Sequence, residues 1–125
     1  MQKVTFANGQ NLEVEEVRGS YANVRETLVF VVPDNVADFD TLKTLLFDAE
    51  AAETITVEYQ EQDENGEPVT QENVQEGYIV PISLNYEVIP ENNYGRFLLI
   101  LGKQTWQEKR IAELEEVVQM MPKRN

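Results

Sequence analysis

The chain has 125 residues, 42% of them hydrophobic, with 23 acidic and 10 basic side chains, a net charge of -13, and neither histidine nor cysteine. That length and apolar content suit a single domain with its own core and exclude a wholly disordered acidic tail, and no apolar run approaches the ~20 residues of a membrane-spanning helix. Catalytic triads that use histidine or cysteine, thiolate nucleophiles, zinc fingers and disulfide staples are excluded as well.

Residues 1–43 carry a net -3, residues 44–95 carry -12 with no basic residue, and residues 96–125 carry +2. An acidic patch is expected from Glu58, Glu61, Asp63, Glu64, Glu67, Glu72 and Glu76. Such a field repels phosphates, so neither nucleic acid nor an anionic membrane is expected as a direct partner. It favours solubility, and it draws basic proteins over a Debye length of ~8 Å.

At the start of the chain, Met1-Gln2-Lys3 leads straight into alternating residues rather than an apolar signal core, so no signal-peptide secretion is expected. Val4 and Phe6 alternate with Lys3 and Thr5, Asn8-Gly9 marks a turn, and Leu12 and Val14 alternate with Glu13 and Glu15, which together predict a hairpin. An odd-length loop with a bulge, pairing Phe6 with Leu12 and Val4 with Val14, keeps apolar side chains on one face. Residues 18–26 read as a polar connection.

Leu28-Val29-Phe30-Val31-Val32 reads as a central strand stopped by Pro33-Asp34-Asn35. Asp38 or Asp40 then caps a helix of about three turns, with Phe39, Leu42, Leu45, Leu46 and Ala49 on one stripe. Ile55, Val57 and Tyr59 alternate as a strand before a polar stretch, 60–77, that reads as a protruding hairpin or loop turning at Asn65-Gly66. Tyr78, Val80, Ile82, Leu84, Tyr86 and Val88 occupy every second position of a further strand, in which Pro81 points to a sheet edge or a bulge. Pro90 ends it, and a second unbroken run, Phe97-Leu98-Leu99-Ile100-Leu101, closes at Gly102.

Thr105-Trp106-Gln107-Glu108 has the spacing of a capping box, so a helix starts here. Ile111, Leu114, Val118 and Met121 follow a/d spacing and Val117 widens the stripe, so this helix either docks on its own sheet or self-associates. Trp106 is either a packing residue or a partner contact. The fold class expected is α+β: a single domain, mainly an antiparallel sheet or sandwich of about six strands, with one internal helix and a C-terminal amphipathic helix. Residues 1–103 form the body, with the acidic segment 60–77 protruding, and residues 104–122 the C-terminal helix.

Chemistry is sparse. Glu61, Asp63, Asn65, Gly66 and Glu72 fall at positions one, three, five, six and twelve of an EF-hand loop, a candidate calcium site, although glutamate stands first and Pro68 interrupts the loop. Paired carboxylates can run glycoside hydrolysis, but no aromatic sugar platform accompanies them. Neither a phosphate-binding glycine loop nor a Gly-x-Ser-x-Gly elbow occurs, and no enzymatic role and no cofactor are expected.

Val4-Thr5-Phe6-Ala7-Asn8-Gly9, Arg25-Glu26-Thr27-Leu28-Val29-Phe30, Asp40-Thr41-Leu42-Lys43-Thr44-Leu45-Leu46-Phe47 and the segment from Gly102 to Val118 form a pattern. This pattern resembles small proteins encoded beside tail-fibre or baseplate genes in phages and prophages of Gram-positive bacteria. The resemblance spans most of the chain but not the acidic insert, and the group has no catalytic or metal motif to carry over. It implies a non-enzymatic tail or baseplate-associated structural protein, a symmetric homo-oligomer that contacts other tail proteins. Such a protein is expected in the bacterial cytoplasm during assembly and in the virion tail afterwards. The alternatives are an acidic DNA-mimicking inhibitor of a host defence nuclease, and a tail-assembly chaperone.

Overall fold

The structure, a computed structural model, describes residues 1–22 and 24–120, with side chains as far as Val117. In chain order the strands are β1 (Gln2–Phe6), β2 (Asn11–Val14), β3 (Glu16–Ala22), β4 (Arg25–Pro33), β5 (Thr54–Gln62), β6 (Pro68–Glu76), β7 (Val80–Ile89) and β8 (Tyr94–Gly102). Helices α1 (Phe39–Leu46) and α2 (Ala49–Ala52) lie between β4 and β5, and α3 (Trp106–Met120) follows β8. Two four-stranded antiparallel sheets result, in the orders β2-β1-β5-β6 and β3-β4-β8-β7. The antiparallel class and the single domain stand as expected. The strands number eight rather than about six, and the internal helices two rather than one.

The core forms between the sheets because β1, β2 and β5 alternate cleanly. Val4, Phe6, Leu12, Val14, Ile55 and Val57 bury against Leu28, Phe30, Val32, Phe97, Leu99 and Leu101 of β4 and β8. The Phe6 and Phe30 rings cross the gap with centroids 6.1 Å apart and planes tilted by 51°. Strand β4 is central, flanked by β3 and β8, and it is buried on both faces. Outside the core cluster, Val29 lies between Arg18 and Ile100, and Val31 between Glu16 and Leu98. Unbroken apolar runs are the usual signature of two-sided burial.

Several local expectations need correction. Residues 18–26 are not a connection: β3 occupies most of them and pairs with β4 from Glu16 opposite Val31 to Ala22 opposite Arg25. The first hairpin has the odd-length loop, Ala7-Asn8-Gly9, but its register differs by two residues, with Val4 opposite Leu12 and Gln2 opposite Val14. Gly9 takes φ +89°, its N–H donates to the Phe6 carbonyl, and the Phe6 N–H donates to the Gln10 carbonyl, which closes the loop earlier than expected. A shift of two residues leaves the apolar face intact, so patterning alone could not separate the two registers.

Helix α1 is capped by Asp38, whose Oδ1 accepts from the Thr41 N–H at 2.8 Å, and the Thr41 side chain first, then this N–H, holds the carboxyl below its ordinary range. It ends at Leu46, short of Ala49, because Asp48 caps a new turn by accepting from the Ala51 N–H at 3.1 Å. Pro81 lies on the edge strand β7 beside a register shift between Pro81 and Ser83, as its missing N–H requires.

Candidate functional site

Helix α3 grows out of an interior strand. Its first turn is a capping box: the Thr105 Oγ1 accepts from the Glu108 N–H at 3.2 Å, and the Glu108 Oε1 accepts from the Thr105 N–H at 2.9 Å. Arg25, at the start of β4 and only 17% exposed, grips the same carboxylate with both terminal nitrogens, at 3.0 and 3.1 Å, and donates to the Lys103 carbonyl at 3.3 Å. The Thr105 N–H first, and then the Arg25 guanidinium, hold the Glu108 carboxyl below the usual carboxylate range. Beside it the Lys103 ammonium pairs with Glu26 at 3.0 Å and stands 5.1 Å from the Tyr78 ring centroid. The bond to Glu26 raises its pKa, against the opposing effect of burial. The root of the helix is thus tied to the β3–β4 side of the sandwich by ion pairs.

Beyond that root every residue from Lys109 to Val117 is exposed, including Ile111, Leu114 and Val117. Docking of α3 on its own sheet is therefore not observed. At about 100° per residue, Leu114 and Ile111 lie within about 60° of each other, and Glu108 and Glu115 lie beside Ile111 rather than opposite it. Trp106 is about 140° from Ile111, so it leaves the a/d stripe. Trp106 is 76% exposed, and with Val24, Thr105 and Gln107 it lines a shallow depression of about 290 Å³, rather than packing into the domain. The Val118 side chain and Met121, the remaining members of the expected seam, lie outside the described residues.

The acidic segment is an ordered hairpin, β5 paired with β6 from Thr54 opposite Glu76 to Gln62 opposite Pro68. At its turn the Asp63 Oδ1 accepts from the Asn65 and Glu67 N–H groups, both at 2.9 Å, and Gly66 takes φ +77°. One oxygen of Asp63 is thereby engaged by the turn. Glu61 sits opposite Val69, whereas Glu72 sits opposite Glu58 at a position of the other parity, so the two glutamates point to opposite faces of the ladder. This geometry speaks against the calcium candidate: an EF-hand needs a loop that wraps its ligands inward, and this sequence runs as paired strands. Among the described residues no cluster of three or more carboxylates suited to a metal ion forms.

The acidic patch is likewise divided. Glu58 and Glu72 adjoin Lys3 and Glu13 in one cross-strand row on the outer face, Glu61 is on the other face, Glu64 and Glu67 are at the exposed turn, and Glu76 pairs with Thr54 at the base. On β6 the inward positions are Val69, Gln71, Asn73 and Gln75. Asn73 and Gln75, with Gln2, Val17, Gly19, Leu28, Val57 and Tyr78, line a cleft of about 250 Å³ between the sheets. Amides tolerate such partial burial at lower cost than carboxylates do.

The Arg25 clamp was not legible as an anchor in the sequence. An arginine and a glutamate 83 positions apart carry no local signal, and only the sheet register brings Thr27 opposite Gly102 and so Arg25 beside the helix root. A comparison with protein-family models, curated proteins and solved structures gives no match.

Proposed function

We propose that this chain is a non-enzymatic structural protein of a phage or prophage tail or baseplate, which works as a homo-oligomer and contacts other tail proteins. The observation that carries this reading is α3, anchored at its root and uncovered along Lys109–Val117 with Ile111, Leu114 and Val117 exposed. A 15-residue helix is at the lower limit of independent stability in water, so a helix that projects with apolar side chains uncovered calls for a partner. A β-rich body and a projecting helix suit a subunit that docks through its end, and the net charge of -13 keeps free subunits soluble before docking.

Light scattering coupled to size exclusion, on the full chain and on a chain ending at Lys103, tests the reading. The full chain should run as a multiple of its 14.4 kDa mass and the truncated chain as a folded monomer by circular dichroism. A monomeric full chain at the highest soluble concentration would overturn homo-oligomeric assembly. Mass spectrometry of purified virions then separates a tail component from an assembly chaperone, which leaves before maturation.

A further inference from the structure

Building on the oligomer reading, we infer that α3 pairs with α3 of a second copy in parallel, with all the sandwiches at one end of the bundle. With Ile111 at an a position and Leu114 at d, Gln107 is the preceding d, Glu108 and Glu115 are e, and Arg110 and Val117 are g. Antiparallel pairing sets e against e and g against g, so glutamate would face glutamate along one flank. Parallel pairing sets each g against the following e of the neighbour, and Arg110 then faces Glu115 of the other copy. Like charges across a helix seam repel and opposite charges attract, so the charge pattern selects the parallel arrangement.

The structure supports the availability of these groups. Glu108 is already held by Arg25 and Thr105 within its own chain, and among the described residues Glu115 makes no ion pair, so it is the e-position carboxylate open to a neighbour. Among the described residues Arg110 makes a single exposed pair, with Glu113 at 3.5 Å and with both side chains at least 60% exposed, a contact easily exchanged. A parallel bundle also gathers the Val24 and Trp106 patches, 72% and 76% exposed, at one level around the axis.

The chain has no cysteine, so one introduced thiol reports orientation cleanly. In the full-length Gln107→Cys variant, a parallel bundle sets the two thiols across the seam, and a glutathione redox buffer should give a covalent dimer on a non-reducing gel. Lys109→Cys, on the opposite side of the helix, should give little. Arg110→Glu should weaken association about tenfold, and Arg110→Glu combined with Glu115→Arg should restore it. An oligomer by light scattering that neither cross-links at Gln107→Cys nor responds to Arg110→Glu overturns the parallel arrangement while leaving assembly intact. A monomer overturns both.

Discussion

The Phe6–Phe30 pair gives the sharpest test of how the two sheets hold together. Phe30 is fully buried on β4, Phe6 is 2% exposed on β1, and their rings meet across the interface at 6.1 Å. Truncating Phe30 to alanine removes one ring from a closed site, which costs about 3–5 kcal/mol from lost transfer energy and the cavity left behind. That is a large share of the ~5–15 kcal/mol available to a domain of this size. Phe30→Leu keeps most of the volume and removes the ring geometry. In a double-mutant cycle with Phe6→Leu, the coupling should be about 0.5–1.5 kcal/mol, the worth of a tilted aromatic pair beyond its area. Urea unfolding followed by circular dichroism reads both quantities, and at about 2 kcal/mol/M the alanine variant should lose about 2 M in midpoint with an unchanged slope. The exposed Val74→Ala serves as the control and should shift stability by no more than about 0.5 kcal/mol. A Phe30→Ala cost below about 1 kcal/mol, or strict additivity with Phe6, would refute the packing argument.

Three further outcomes follow from particular residues. Because the Glu108 carboxyl is held below its ordinary range, the stability it lends is present above the unfolded-state pKa and is lost as pH falls through the lowered folded-state value. Trp106, the one tryptophan of the chain, should report release of the helix root as an acid-side fluorescence change that Glu108→Gln abolishes. The Tyr86 phenol donates to Asp34 at 2.9 Å and its pKa is raised, so this contribution holds below the ordinary tyrosine range and is lost as pH climbs through the folded-state value. Ultraviolet phenolate titration should show a late-titrating tyrosine that becomes ordinary in Asp34→Asn. Calorimetric titration with millimolar calcium should give no saturable heat, and a heat that Glu72→Gln removes would restore the metal-loop reading of the hairpin.

The features legible in the sequence are those in which local chemistry and tertiary demand agree. The runs 28–32 and 97–101 have no polar interruption because they are inner strands, and the Thr105–Glu108 box closes over three residues. Pro81 marks its edge position because it has no N–H to give. The strand missing from the sequence reading, β3, and the one left open between hairpin and loop, β6, are both edges. β3 offers Val17 as its one inward aliphatic side chain and β6 offers Val69, with Gln71, Asn73 and Gln75 filling its other inward positions, so neither shows the alternation that a half-buried strand displays. β6 faces a cleft rather than the core, and its polarity reads as a loop until its ladder partner is known. The seam residues Ile111 and Leu114 were legible by spacing. Whether they face inward or outward was not, because a body already closed by its own sheets leaves the helix nothing to cover, and that is a property of the whole domain.

Helix α3 continues directly from β8, and β8 is held on both sides, by β4 from Thr27 to Pro33 and by β7 from Val80 to Ile89. Tension applied through the helix therefore reaches the sandwich at a strand flanked by two ladders. Pulled lengthwise, it loads both ladders in shear at once, where an edge strand would load only one. A subunit wired this way resists extraction by its tail end more strongly than its overall stability alone would suggest.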